Sequence, residues 1–193
     1  MISGRFACFN GDIVSSLNVG KMLEQHSSMN VKGTLALWKV ENPTRFGIVG
    51  LNEERKVTQF KEKPKPEEVF SNLINAGSYL LEEEVFDIMP REKHSLERDV
   101  FPVLAEEGTL SGFPFEGYFI DAGTPSSWHD GVRTCIVENR FKTGSVSNGS
   151  WHQSEKTTAK NSMVQDGCIV LGEVSESTLL SGSRVETGAV VSK

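Results

Sequence analysis

The stretch Gly117-Tyr118-Phe119-Ile120-Asp121-Ala122-Gly123-Thr124-Pro125 dictates a strand that hands over directly to a helix. Tyr118, Phe119 and Ile120 bring the aromatic and β-branched side chains that suit a half-buried pleated surface. Thr124 and Pro125 supply an N-cap hydroxyl and a ring pre-set for the first helical position. Asp121 therefore stands at the carboxyl end of a strand. In open α/β sheets ligands bind at that edge, because loops converge over the strand ends and helix N-termini face anions. A second acid is placed in the same way: Phe6-Ala7-Cys8-Phe9 reads as a short buried strand that runs into Asn10-Gly11-Asp12. Two aspartates at two strand ends can share one divalent cation. Each also fits ordinary loop capping, since Asp and Gly are common turn residues.

Between these acids the chain alternates strands and helices. Asn18 is a plausible N-cap for a helix to about His26, with Val19, Met22 and Leu23 at core-facing spacing. Lys32 to Val40 is apolar at both parities, which suits a strand covered on both faces. Gly47 to Leu51 and Lys56 to Phe60 read as two strands of a β-hairpin turning at Asn52 to Arg55. Lys61-Glu62-Lys63-Pro64-Lys65-Pro66 breaks that pattern, as neither proline can donate to a ladder. It is either a solvated charged loop or a loop that offers Glu62 and Lys63 to an anionic ligand. Asn75-Ala76-Gly77 interrupts the next apolar run, Leu73 to Leu81, and a small residue inside a strand often marks a close backbone approach. A short helix from about Glu83 to Met89 stops at Pro90. Another starts near Ser95, is bent or restarted at Pro102 and ends at Gly108. After the Asp121 stretch, Trp128, Val132, Cys135 and Ile136 share one face of a helix reaching about Glu138.

Composition changes near Thr143. Beyond Gly144, Gly and Ser are frequent and β-branched or aliphatic residues recur at a six-residue interval: Val164 and Val170, Val174 and Leu180, then Leu179, Val185 and Val191 in a shifted phase. That interval is a solenoid signal, with a flexible Gly/Ser tail as the alternative. The net charge of -6 over 193 residues gives no basic field for nucleic acid, and no apolar run is long enough to span a membrane. Three scattered cysteines without a CxxC spacing fit reduced thiols in a cytoplasmic protein. The four histidines show no ligand spacing and fit surface or polar packing roles.

Taken in order, Asn10-Gly11-Asp12, Phe46-Gly47-Ile48-Val49, Glu62-Lys63-Pro64, Ile74-Asn75-Ala76-Gly77-Ser78-Tyr79, Ser95-Leu96-Glu97-Arg98-Asp99-Val100-Phe101-Pro102 and Gly117 to Pro125 resemble the motifs of the sugar-phosphate nucleotidyltransferases. Each motif is weak alone; together, in register over roughly Phe6 to Gly131, they are specific. The wording of Ser71 to Gly77 and of Ser95 to Pro102 is most similar to mannose-1-phosphate guanylyltransferases. Asp166-Gly167-Cys168-Ile169-Val170 and Leu180-Ser181-Gly182 resemble the hexapeptide-repeat domain appended to many members.

The resemblance implies an α/β fold: an incomplete Rossmann-like (GT-A-like) domain over 1–141, then a short left-handed β-helix of hexapeptide repeats over 142–193. It implies a reaction in which a sugar-1-phosphate oxygen attacks the α-phosphorus of a nucleoside triphosphate, GTP being favoured, and pyrophosphate leaves. Asp12 and Asp121 would hold Mg²⁺, Lys63 would pair with the sugar phosphate, and Glu62 would accept hydrogen bonds from sugar hydroxyls. Gly47 and Asn75 to Gly77 would let backbone approach the sugar ring. The family's opening Gly-rich, Arg-bearing triphosphate loop has no counterpart in Met1 to Asn10. The expectation is therefore a fragment with little activity by itself, partnered by a second copy or a full-length homologue. Thymidylyl-, uridylyl- or adenylyltransferases of glucose-1-phosphate, and a non-catalytic regulatory subunit, are the alternatives.

Overall fold

The computed structural model describes residues 3–137, 152–153, 159–160, 162–165 and 167–192, which form two compact units, Met1–Phe119 and Ile120–Lys193. The boundary expected at 141–142 lies outside the described residues. The first unit runs β1 (Phe6–Phe9), β2 (Ile13–Ser15), α1 (Val19–Ser28), β3 (Gly33–Lys39), β4 (Gly47–Leu51), β5 (Val57–Glu62) and a 3₁₀ turn at Pro66–Glu68. It continues through β6 (Leu73–Leu81), α2 (Val85–Ile88), a π-helical turn at Leu96–Val100, α3 (Phe101–Glu106) and β7 (Leu110–Pro114).

Its main sheet has the order β5-β4-β6-β3-β7, with β1 also paired to β6. The β3–β7 pair is parallel and the other pairs are antiparallel, so the sheet is mixed. Helices cover both faces. Leu35 and Leu37 of β3 pack in one cluster with Val100, Phe101 and Leu104, while Ala36 packs in another with Met22 of α1. One apolar strand thus feeds two cores, because its side chains alternate between faces. The hairpin turns as its sequence suggests: Arg55 N donates to Asn52 O at 3.0 Å and Lys56 N to Asn52 Oδ1 at 2.8 Å.

Two sequence expectations are corrected here. β1 is not buried: Phe6 and Cys8 pack against the core, but Phe9 on the opposite parity is 54% exposed. In α1 the cap holds, with Asn18 Oδ1 accepting from Lys21 N at 3.0 Å, yet Val19 and Leu23 face outward. Met22 and His26 are the buried residues. The reason is a polar seam beneath the helix: His26 Nδ1 lies 2.7 Å from Thr34 Oγ1 and its Nε2 lies 3.0 Å from Glu82 Oε1. Thr34 Oγ1 lies in turn 2.6 Å from Ser111 Oγ. Every polar atom in the seam has a partner, so burial costs the imidazole little.

The second unit takes in the end of β8 (Phe119–Asp121) and then α4 (Pro125–Val137), capped by Thr124 Oγ1, which accepts from Ser127 N at 3.2 Å. Short strands follow: β9 (His152–Gln153), β10 (Ala159–Lys160), β11 (Met163–Val164), β12 (Ile169–Val170), β13 (Glu173–Ser175), β14 (Thr178–Leu179), β15 (Arg184–Val185) and β16 (Val190–Val191). They pair in parallel in three small sheets, β10-β13-β16, β11-β14 and β15-β12-β9. Ala159 pairs with Val174, Met163 with Thr178 and Ile169 with Arg184. Val164, Cys168, Val170, Val174, Leu179 and Val185 form its buried cluster, and Met163 is buried as well. Leu180, expected to continue from Val174, is 53% exposed, and Leu179 turns inward in its place. Asp166 of the hexapeptide-like motif lies outside the described residues.

Candidate active site

Glu62 closes β5 directly opposite Gly47 of β4. A Cβ on Gly47 would lie 2.7 Å from Glu62 Oε2 and 2.8 Å from Phe60 Cζ, so glycine there makes room for the carboxylate and the ring beneath it. Burial raises the Glu62 carboxyl above its ordinary pKa, and the negative charge of Glu97 raises it further, against the lowering effect of Lys63 and Arg98. Two carboxylates and two cations from separate segments thus act on one another at this sheet edge.

Lys63 follows at φ 45°, a left-handed conformation rare for a non-glycine residue and further disfavoured before a proline. Its N–H donates to Phe46 O at 3.0 Å, and Pro64 is buried, so the loop is held in this shape from both sides. Lys61 is engaged with Glu68 at 2.8 Å, whereas the exposed Lys63 ammonium forms no ion pair among the described residues. Such strain is characteristic of ligand clamps.

The centre of β6 is bulged. Against β3, Leu35 pairs with Tyr79 but Leu37 pairs with Asn75, which leaves Ala76-Gly77-Ser78 looped out of register, with Gly77 at φ 64°. Bulges re-aim side chains beside functional sites. Here Asn75 Oδ1 accepts from Gly77 N at 3.1 Å, and Asn75 Nδ2 donates to Tyr79 Oη at 2.9 Å. Tyr79 Oη donates to Glu97 Oε1 at 3.1 Å, and Ser95 Oγ donates to Glu97 Oε2 at 2.6 Å. Burial lifts the Tyr79 phenol far above its usual pKa, so it stays a neutral donor. Glu97, accepting one hydrogen bond on each oxygen, is thus joined to Asn75 through Tyr79 and acts on Glu62 through its charge.

The bulge also receives the end of β1. Asn10 N donates to Gly77 O at 2.8 Å, and the turn closes with Ile13 N donating to Asn10 O at 3.4 Å. Asp12 is exposed on this turn, and its carboxylate makes no hydrogen bond or ion pair among the described residues. Asp121 belongs to the second unit, where its Oδ1 accepts from Gly123 N at 3.1 Å. Both carboxylates keep oxygens available, a donor chemistry that suits a hard divalent cation such as Mg²⁺. Among the described residues no three His, Cys, Asp or Glu side chains converge as a metal cage. The first unit therefore brings Glu62, Lys63, Gly47, Asn75, Gly77 and Asp12 onto connected segments.

Sequence reasoning left Tyr79, Glu97, Ser95 and Asn10 without roles. Tyr79 and Glu97 stand 18 positions apart, and nothing in that spacing announces a hydrogen bond. The interrupted apolar run at Asn75 to Gly77 was the available signal for the bulge.

A sequence model described as nucleotidyl transferase matches residues 3–136, and the chain belongs to that family. Its relatives include "Probable mannose-1-phosphate guanylyltransferase 1" of Oryza sativa subsp. japonica, 28% identical over 97% of this chain and 56% of the relative. A glucose-1-phosphate adenylyltransferase of Bacillus subtilis (strain 168) is 34% identical over 91% of this chain and 51% of the relative. A solved structure from Bacillus anthracis, assigned as a glucose-1-phosphate thymidylyltransferase, superposes with a TM-score of 0.58 at 25% identity, covering 67% of this chain and 53% of that one. The chain thus spans about half the length of the curated relatives it matches. Among the described residues no helix is long and apolar enough to cross a membrane.

Proposed function

We propose that this chain supplies the metal- and sugar-phosphate-binding part of a sugar-1-phosphate nucleotidyltransferase of the mannose-1-phosphate guanylyltransferase type. The observation that carries the reading is the joined set Glu62, Glu97, Asn75 and Tyr79 beside the strained Lys63. It offers carboxylate and amide groups for hydroxyls next to a free ammonium for a phosphate. In the reaction an oxygen of the sugar-1-phosphate forms a bond to the α-phosphorus while the bond from that phosphorus to the departing pyrophosphate breaks. Such a transfer needs positioning and charge neutralisation rather than a protein nucleophile.

Lys63 neutralises the sugar phosphate as a flexible point charge. Glu62 accepts from sugar hydroxyls, and its half-buried position strengthens those bonds. Asp12 of the first unit and Asp121 of the second are each proposed as a carboxylate ligand for Mg²⁺, which when bound would withdraw charge from phosphate oxygens. The parallel sheets of the second unit fit a left-handed β-helix of hexapeptide repeats serving as an assembly element, and the dispersed cysteines, none in a disulfide, fit a cytoplasmic setting. The 34% identity to an adenylyltransferase favours a second pairing of substrates, glucose-1-phosphate and ATP. Calorimetry with mannose-1-phosphate and with glucose-1-phosphate, each with and without MgCl₂, tests this reading. Magnesium-dependent binding lost in Asp12→Ala and in Asp121→Ala is expected; no binding of either sugar phosphate overturns it.

A further inference from the structure

We infer that Asn10 is a positioning residue that sets Asp12 by occupying the space where Gly77 lacks a side chain; the inference rests on the reading above. A Cβ on Gly77 would lie 2.7 Å from Asn10 Nδ2, 3.0 Å from its Cγ and 3.1 Å from its Cβ. The Asn10 side chain therefore lies flat on the bare Cα at the apex of the β6 bulge. Backbone bonding fixes it there from the other side, through Asn10 N to Gly77 O at 2.8 Å. This contact terminates the β1–β6 ladder, whose last pair is Phe9 with Ser78.

Two consequences meet at this point. Asp12 lies two residues beyond Asn10, on the turn closed by Asn10 O and Ile13 N, so the seating of Asn10 decides where the carboxylate is presented. Gly77 N is bound by Asn75 Oδ1, so the residue under Asn10 is also tied to the residue assigned to the sugar. Asn10 is exposed and is not part of the packed core, and its truncation leaves the sheet intact. Its effect falls on the acid on the turn, while Glu62 and Lys63 stand on the separate β4–β5 hairpin and the loop after it.

The test measures binding rather than turnover. Mannose-1-phosphate is titrated calorimetrically into wild type and Asn10→Ala, in EDTA and in MgCl₂, with thermal melts of both proteins. The expected result is unchanged affinity in EDTA and an unchanged melt, with the apparent magnesium affinity lowered roughly 10- to 100-fold, as for loss of a residue that orients a metal ligand. Retention of the full magnesium effect in Asn10→Ala overturns the positioning role while leaving the function intact. Loss of affinity in EDTA to the same degree as in MgCl₂ also overturns it, because it indicates a general structural role. Wild type that binds without any magnesium effect overturns both readings.

Discussion

Replacing Tyr79 by phenylalanine removes one oxygen from the first unit and leaves its shape unchanged. Two hydrogen bonds go with it: the 2.9 Å bond from Asn75 Nδ2 and the 3.1 Å bond to Glu97 Oε1. A neutral bond of this kind contributes about 1 kcal/mol, and one to an ionised carboxylate about 1.5–3 kcal/mol. Glu97 keeps its 2.6 Å bond from Ser95 and is only half-buried, so water can partly replace the lost donor. The net cost falls near the lower end, about 2.5 kcal/mol. The edge-to-face contact of ring 79 with Phe101, at 4.9 Å between centroids, is retained in the variant. For a unit that spans Met1–Phe119, an unfolding entropy of about 2.1 cal/mol/K per residue converts this cost to a fall in Tm of about 10 °C. Near-ultraviolet circular dichroism during heating reads it. Asn75→Ala, alone and combined with Tyr79→Phe, supplies a double-mutant cycle with an expected coupling of about 1 kcal/mol. A fall below about 3 °C, or strictly additive variants, would refute the claim that Tyr79 joins Asn75 to Glu97.

The raised Glu62 carboxyl gives a signed pH dependence. The fold binds this proton more tightly than the unfolded chain, so the group stabilises most below the unfolded value of about 4.5 and that stability falls as pH rises through the raised folded value. Glu62→Gln should therefore melt increasingly above wild type as pH climbs, with the difference vanishing in acid; a difference that is flat or reversed across the titration counts against the burial argument. Gly47→Ala should destabilise by about 1–3 kcal/mol in chemical denaturation, because the new methyl meets both Glu62 and the buried Phe60 ring. Adding Glu62→Ala should recover only part of that cost, and full recovery would show that the ring yields freely.

Much of the first unit was legible because its signals are local. Asn18 before the α1 turn, the Asn52 to Arg55 reversal, the doubly apolar β3 run and the break at Pro102 each depend on neighbours a few positions away. The outward Val19 and Leu23, the inward His26 and the exposed Phe9 were not legible, because they answer to partners distant in the chain. His26 is drawn in by Glu82, 56 positions on, and no helical periodicity could reveal that. The glycines show the same limit. The sequence marks Gly47 and Gly77 for approach by a sugar ring, whereas the protein groups that lie against them, Glu62, Phe60 and Asn10, are visible only in three dimensions. In the second unit the apolar interval was legible over Leu179, Val185 and Val191, while the shift between Val174 and Leu179 was hidden by two adjacent leucines that the pattern treats alike.

The π-helical turn ahead of α3 closes with Phe101 N donating to Leu96 O, five residues back, and Pro102 has no N–H to draw Arg98 O into a regular ladder. One surplus residue in a helix turns everything before it by about 100° about the axis. The compass bearing of Glu97 and Arg98 is therefore set at the junction where Pro102 interrupts the ladder. A lineage that exchanged Pro102 for alanine could straighten this helix, gain rigidity and swing the acid out of reach of Tyr79, trading recognition for sturdiness with a single codon.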